Sequence, residues 1–136
     1  KWFIIAHVLT PEAPVVEILP FFRLVMVWNH GISFGMFSGA RQPIPLIVLS
    51  LLIVCVLLVW LHRNQSVLVA GALGAIIGGA IGNMADRLHY GAVVDFIDVS
   101  LGSYHWPAFN IADSAIFIGV VLLTFSSMFI ESRNMK

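Results

Sequence analysis

Three long apolar runs, at residues 44–61, 67–85 and 114–130, alternate with polar stretches along the chain. The first run has 18 residues and no charged side chain. At 1.5 Å per residue, a helix of that length covers roughly 27 Å, which is enough to cross the hydrocarbon core of a bilayer. The pattern therefore predicts three membrane-spanning helices, the first two joined by a short polar turn at residues 62–66.

Small residues recur along one face of the second predicted span. Gly74, Gly78 and Gly82 follow one another at intervals of four, which places them on the same side of a helix. Ala75 and Gly79 lie alongside them in the same stripe. Because glycines let a neighbouring helix approach closely, we expect this stripe to be a packing surface.

Shorter patterns rich in β-branched and aromatic residues lie between the spans, in the stretches 9–43 and 86–112. Residues 21–27 and residues 92–99 are each typical of a strand. The predicted fold class is an α-helical polytopic membrane protein with three spans and a small β-rich platform outside the membrane.

The few basic residues indicate the topology. Arg63 lies in the turn between two spans, and Arg133 and Lys136 lie in the C-terminal tail. The positive-inside rule makes the turn and the tail cytoplasmic, so both stretches with strand patterns face outward. Residues 1–8 look like the end of a further helix, and the chain does not begin with methionine. We therefore expect the intact protein to have a fourth span before this one.

Composition agrees with a membrane protein. The chain is 60% hydrophobic and only 10% charged, with a mean hydropathy of +0.97, whereas soluble domains are about a quarter charged. We expect residues 1–136 to form a single membrane domain. The formal net charge of zero leaves no basic field for nucleic acid. The single cysteine, Cys55, excludes an internal disulfide and lies in a span, where it is expected to pack as a small apolar residue.

Two Asn-x-x-Asp tetrapeptides lie at the ends of neighbouring spans. Asn83 and Asp86 end the second apolar run, and Asn110 and Asp113 precede the third. Residues three apart share a helix face, so we expect each amide to lie beside its carboxylate. The topology puts both pairs at the outer membrane surface. The simpler interpretations are that Asp113 is a helix-start anion and that Asp86 forms an interfacial ion pair with Arg87.

Asp95 is the carboxylate that most needs an explanation. It lies among Val94, Phe96 and other apolar residues, where a carboxylate must find partners or change its protonation. Asp98, three residues later, points to the opposite face of an extended strand, and we expect it to be solvated or structural. Two carboxylates brought together at a partly dry surface can share a proton and activate water, as in aspartic proteases. Asp95 and Asp113 are the pair we select.

Other chemistries receive less support from the sequence. A zinc site would need His30, His89 and His105, which lack the usual paired-ligand spacing. No Ser-His-Asp arrangement and no glycine-rich phosphate loop with a lysine stands out. The remaining alternative is a non-enzymatic transport or scaffold subunit with an acidic ion-binding rim. The interiors of the spans carry no carboxylate, which disfavours an ion conduit.

Three motifs give the chain a resemblance to the bacterial lipoprotein signal peptidases, or signal peptidase II. They are Trp-Asn-His-Gly-Ile-Ser-Phe at residues 28–34, the stretch from Gly-Ala-Ile-Gly-Asn-Met-Ala-Asp-Arg to Val-Asp-Phe at residues 79–96, and Pro-Ala-Phe-Asn-Ile-Ala-Asp at residues 107–113. The second and third motifs are highly specific in combination.

The resemblance implies an aspartic endopeptidase of the bacterial cytoplasmic (inner) membrane with its active site at the extracytoplasmic face. It would cut diacylglyceryl-modified prolipoproteins just before the lipid-bearing cysteine. Asp95 and Asp113 would be the catalytic dyad. The residues that would support them or bind substrate are Asn29, Gly31, Asn83, Asp86, Arg87 and Asn110. The resemblance further implies no metal and no other cofactor, four spans in the intact protein, and inhibition by globomycin-like cyclic peptides. We expect a monomer in the lipid bilayer.

Overall fold

The computed structural model describes residues 1–10, 14–31, 43–64 and 66–134, and these residues form four helices and four strands. In chain order the elements are α1 (Trp2–His7), β1 (Val15–Leu19), β2 (Phe22–Asn29), α2 (Ile44–Arg63), α3 (Val67–Tyr90), β3 (Val93–Leu101), β4 (Tyr104–His105) and α4 (Ile111–Asn134). They divide into two compact groups. Residues 1–44 and 86–110 form the sheet unit, and residues 45–85 and 111–136 form the helical unit.

The helical unit confirms the membrane-spanning pattern. Within the described part of the chain, three helices are long and apolar enough to cross a bilayer: Ile44–Arg63, Val67–Tyr90 and Ile111–Met128. The helix α2 is apolar almost all round, and most of its large side chains are exposed, as expected for a surface that faces lipid. The predicted fold class, three spans with a small antiparallel sheet, is therefore confirmed.

The helix α3 continues to Tyr90, beyond the apolar run that predicted it. It ends at Gly91, which has a φ of +75° and donates its backbone N–H to the carbonyl of Arg87. A glycine in this left-handed conformation is a common helix stop. The extra turn of helix carries Asp86 and Arg87 out of the apolar segment and into the sheet unit.

The contact between α3 and α4 uses two glycines of the predicted stripe. A Cβ at Gly79 would lie 2.7 Å from Ile116 and would also collide with the backbone of Ala112. A Cβ at Gly82 would lie 3.5 Å from the Ala112 side chain, whereas at the two other glycines of the stripe it would meet nothing within 4 Å. The stripe therefore contacts α4 through Gly79 and Gly82.

The sheet unit contains one antiparallel sheet with the strand order β1-β2-β3-β4. The strands β2 and β3 cover the two segments predicted to be extended. The strand β1 was not predicted, because Pro20 seemed to interrupt the apolar stretch. Pro20 instead lies in the turn that joins β1 to β2, where its fixed φ is compatible with a tight reversal.

The core of the sheet unit lies between α1 and the sheet. Leu9, Leu24 and Phe96 are buried together, with Ile4 and Val8 from the N-terminal segment packed against them. Burying each of these large side chains contributes roughly 1.5–3 kcal/mol. This core fixes the middle of β2 and β3, the two strands that carry the candidate residues.

Candidate active site

Asp95 is held by two asparagines at a buried position of β3. Only 2% of the residue is exposed. Asn29 donates a hydrogen bond from Nδ2 to Asp95 Oδ2 at 2.9 Å, and Asn110 donates from Nδ2 to Asp95 Oδ1 at 2.6 Å. Asn110 itself is fully buried. The partners expected for a carboxylate among apolar neighbours are therefore amide groups, one on each oxygen.

The side chain of Asn29 is fixed at both ends. Its Oδ1 accepts a hydrogen bond from the backbone N–H of Gly31 at 3.0 Å, while its Nδ2 donates to Asp95. An oxygen is needed toward Gly31, so only the amide nitrogen can face the carboxylate. Gly31 also accepts a hydrogen bond at its carbonyl from Arg87 at 2.9 Å. Asn29 and Arg87, which the resemblance implied to be supporting residues, therefore both bind the backbone of Gly31 just after β2.

A bulge in β2 places Asn29 on the same face of the sheet as Asp95. Leu24 pairs with Ile97, but the next recorded pair is Val27 with Asp95, so β2 uses one more residue than β3. Side chains alternate between faces along a strand, and one extra residue exchanges the faces beyond it. Without the extra residue, Trp28 and not Asn29 would lie on the face of the sheet that carries Asp95.

Asn110 directly follows residues 104–109, which we call the return segment. Phe109 exchanges backbone hydrogen bonds with Ile97: its N–H donates to the Ile97 carbonyl at 3.0 Å, and its carbonyl accepts from Ile97 at 2.8 Å. The helix α4 begins immediately afterwards, at Ile111. Asn110 is thus fixed by the sheet on one side and followed by a helix on the other.

Asp113 lies in the first turn of α4, as the simpler interpretation of the sequence expected. Its Oδ1 also accepts a hydrogen bond from Asn83 Nδ2 of α3 at 2.7 Å. The close approach of α3 and α4 at Gly79 brings these two helix faces together. Asp113 is therefore a helix-start anion with a specific amide partner on the neighbouring helix.

Each Asn-x-x-Asp tetrapeptide has a hydrogen bond to a residue outside itself. Asn83 binds Asp113 and Asn110 binds Asp95, so each amide reaches a carboxylate from another element. Asp86 is buried and accepts hydrogen bonds from Lys1 Nζ at 2.8 Å and from the Val94 N–H at 3.1 Å. These bonds between elements add to the neighbours that the sequence spacing predicted.

Asp98 forms a separate cluster with Arg23 and His105 on the opposite face of β3 from Asp95. Arg23 donates to Asp98 Oδ2 from Nε at 2.8 Å and from a terminal nitrogen at 2.5 Å. His105 Nδ1 lies 3.1 Å from Asp98 Oδ1. Burial alone would raise the pKa of Asp98, but hydrogen bonds from Arg23 and His105 and their positive charge lower it below its ordinary value. Asp98 is therefore structural and buried, not solvated.

The candidate residues fall into groups within each unit. The sheet unit brings Asp95 together with Asn29 and Asn110, and the helical unit brings Asp113 together with Asn83. The pairing of Asp95 with Asp113 stays a prediction. Residues 32–34 of the first motif lie outside the described residues. Within those described, no group of three or more His, Cys, Asp or Glu could hold a metal ion.

Three side chains were not predicted from the sequence to be partners of these aspartates. Arg23 and His105 both bind Asp98, and Lys1 binds Asp86. Pairing β2 with β3 in the sequence could have identified Arg23, because it lies directly opposite Asp98. The 85-residue separation of Lys1 from Asp86 leaves no local signal.

Comparison with known proteins identifies the family. The family model for signal peptidase (SPase) II matches residues 1–129. A lipoprotein signal peptidase of Rhodopseudomonas palustris is 48% identical over 120 residues, covering 84% of this chain and 73% of the relative. A second, from Francisella tularensis subsp. novicida, is 39% identical over 127 residues, covering 90% and 79%.

The fold has a matching relative among solved structures. A bacterial membrane enzyme solved by the in meso method superposes with a TM-score of 0.84 at 30% sequence identity, covering 98% of this chain and 81% of that one. The family model spans nearly the whole chain and includes every candidate residue. The chain belongs to the signal peptidase II family.

Proposed function

We propose that this protein is an aspartic endopeptidase that removes the signal peptide from diacylglyceryl-modified prolipoproteins. Cleavage falls just before the lipid-modified cysteine, at the extracytoplasmic face of the bacterial cytoplasmic membrane. Family membership supports signal-peptide removal, since the relatives are lipoprotein signal peptidases. It also favours a protease over the alternative of an ion-binding transport or scaffold subunit.

The observation that carries the aspartic mechanism is the amide clamp on Asp95. A buried carboxylate with an amide donor on each oxygen is fixed in orientation, as a group that must align with a substrate is expected to be.

Asp113 is the proposed second carboxyl group. It follows Asn110, one of the two asparagines that bind Asp95, by three positions. The chain therefore keeps the Cα atoms of Asn110 and Asp113 within about 11 Å of each other. Asn83 holds its Oδ1 in a fixed direction, as Asn29 and Asn110 hold Asp95. In this proposal each aspartate has its own asparagine partner, and the two carboxyl groups share one proton.

The reaction then follows the two-carboxylate logic. The ionised aspartate takes a proton from a water molecule, and the water oxygen bonds to the carbonyl carbon of the scissile peptide. The protonated aspartate donates its proton toward the carbonyl oxygen of the resulting tetrahedral intermediate. When the carbon–nitrogen bond breaks, the aspartate that took the proton of the water gives it to the departing amine of the cysteine, and the other aspartate takes back a proton from a hydroxyl group of the intermediate. The products are a free signal-peptide carboxylate and a lipoprotein with a new amino terminus.

The test is cleavage of a diacylglyceryl-modified prolipoprotein by the purified protein reconstituted in lipid. The variants are Asp95→Asn and Asp113→Asn, which keep side-chain size but remove the titratable group. Each should reduce kcat at least about a thousandfold, the loss typical when a residue that activates the nucleophile is removed. Cys55→Ser is the matched control, because Cys55 is the single cysteine, is exposed, and should contribute nothing.

The outcomes separate the parts of the proposal. If the parent protein does not cleave, the protease function is wrong and the ion-binding alternative returns. If the parent cleaves and either aspartate variant remains active while folded, that residue is not part of the dyad. If the unlipidated precursor is cleaved as well as the lipidated one, the lipid is not part of the recognised substrate.

A further inference from the structure

The Arg23–Asp98–His105 cluster joins three strands on the face of the sheet that does not carry Asp95. Arg23 comes from β2, Asp98 from β3 and His105 from β4. Arg23 and Asp98 are directly paired across the strands, and a terminal nitrogen of Arg23 also lies 3.3 Å from His105 Nδ1. Asp98 is buried and is the common partner of both side chains. The cluster is therefore a side-chain bridge that extends to the sheet's last strand.

The last strand is short and pairs with β3 at two positions, Ser100 with His105 and Leu101 with Tyr104. The strand β4 has only two residues, and both are exposed. Beyond it, the return segment is attached to β3 through the Trp106 N–H to the Val99 carbonyl at 2.8 Å and through the exchange between Phe109 and Ile97. Short edge segments with few buried contacts open easily. His105 provides the segment with a side-chain contact to the buried Asp98, with its Nδ1 at 3.1 Å from Asp98 Oδ1.

The return segment leads directly to Asn110, one of the two amide donors to Asp95. Its last hydrogen-bonded residue, Phe109, immediately precedes Asn110. A shift of the segment along β3 would move the Asn110 amide away from Asp95 Oδ1. Misplacement of a catalytic group by about 1 Å can cost on the order of a hundredfold in rate.

We propose that the Arg23–Asp98–His105 cluster positions Asn110 on Asp95 by fixing the return segment against β3. Its three members are positioning residues and do not touch the substrate. The proposal rests on the proposed function for its catalytic consequence, while its structural part stands on the contacts within the sheet unit alone. Asp98 is central, because its carboxylate contacts Arg23 and His105 at once.

The activity test compares Asp98→Asn and His105→Ala with the parent under the same cleavage assay. Each should lower kcat about tenfold to a hundredfold and leave KM nearly unchanged, because the cluster lies on the opposite face from the residues that meet the substrate. Asp98→Glu, which restores the charge, should recover part of kcat. Glu17→Gln is the matched control. Glu17 lies opposite Arg23 on β1, but no hydrogen bond or ion pair of its side chain is found among the residues described.

A double-mutant cycle identifies the route of the effect. If the cluster acts through Asn110, then Asp98→Asn should reduce kcat far less in an Asn110→Ala background than in the parent. Additive losses in the two backgrounds would overturn the proposal, because they would show that the cluster and Asn110 act independently. Equal loss in kcat and rise in KM would also overturn it, since that is the signature of general misfolding or altered substrate binding.

Hydrogen–deuterium exchange tests the same proposal without relying on activity. In Asp98→Asn the backbone amides of Trp106 and Phe109 should exchange at least about tenfold faster, while the amides of α2 stay unchanged. Unchanged exchange at Trp106 and Phe109 would overturn the proposal even if the variant lost activity. If the parent protein does not cleave, the proposed function is wrong. The exchange measurement would still test whether the cluster fixes the return segment against β3.

Discussion

Asn29 and Asp95 share a face of the sheet because β2 contains one residue more than β3 between their paired positions. The bulge lies between Leu24 and Val27, and beyond it Asn29 donates to Asp95 at 2.9 Å. Before the bulge, Arg23 faces Asp98 on the other side of the sheet. One inserted residue therefore lets a single strand supply a partner to each of two aspartates on opposite faces.

The clamp predicts a specific effect of replacing Asn29. Asn29→Ala removes one of the two recorded amide donors to Asp95, so the carboxylate loses orientation. We expect kcat to fall about tenfold to a hundredfold, the usual cost of removing a residue that orients a reactive group, with little change in KM. Steady-state cleavage of the lipidated precursor measures both constants.

Asn64 provides the control for this prediction. Like Asn29, it accepts a backbone N–H two residues further on, from Ser66 at 2.8 Å, but it lies in the connection between α2 and α3. Asn64→Ala should leave kcat within about twofold of the parent. Equal losses in the two variants would show that the Asn29 effect comes from the local turn and not from Asp95.

The contact between α3 and α4 predicts opposite effects at two adjacent glycines. Gly79→Ala would place a methyl group against the backbone of Ala112 and 2.7 Å from the Ile116 side chain. We expect it to destabilise the protein by about 1–3 kcal/mol, the usual cost of overpacking. The thermal unfolding midpoint in detergent should fall accordingly, and kcat should fall as well, because the Asn83–Asp113 bond joins the same two helices.

Gly78→Ala is the matched control, with the same chemical change one position earlier. A methyl group there meets nothing within 4 Å, and alanine is a better helix former than glycine by up to about 1 kcal/mol. The unfolding midpoint should stay the same or rise. A midpoint that falls equally in both variants would contradict the assigned contact face of α3.

The lowered pKa of Asp98 predicts an acid-dependent loss of stability. A carboxyl group whose pKa is lower in the folded than in the unfolded state adds stability above its unfolded pKa, near 3.9. That contribution disappears as the pH falls through the lower folded pKa and both states become protonated. The unfolding midpoint of the parent should therefore exceed that of Asp98→Asn at pH 6, and the difference should shrink progressively below about pH 4.

Thermal unfolding of both proteins between pH 3 and pH 7 makes the comparison. Glu17→Gln again serves as the control, because its carboxylate is exposed on the neighbouring strand. It should follow the parent across the whole range. A difference between parent and Asp98→Asn that does not depend on pH would mean that the cluster stabilises the sheet through packing and not through charge.

The sequence alone determined the membrane class and indicated that Asp95 needs polar partners. Runs of apolar residues long enough to cross a bilayer have few other structural solutions, so the spans could be predicted from length and hydropathy. A carboxylate among apolar residues is costly enough to require partners, which is why Asp95 stood out before any contact was known. The three motifs carried the resemblance to the family that the comparisons then confirmed.

Tertiary structure decided which groups bind each other. Local spacing placed Asn83 near Asp86 and Asn110 near Asp113, and the fold in addition joins Asn83 to Asp113 and Asn110 to Asp95. Helical spacing describes neighbours only within one helix, so it could not show these two bonds between elements. Strand register, a one-residue bulge and the approach of α3 to α4 depend on contacts between distant segments. No local pattern contains those contacts, so only the folded chain could assign each aspartate its partner.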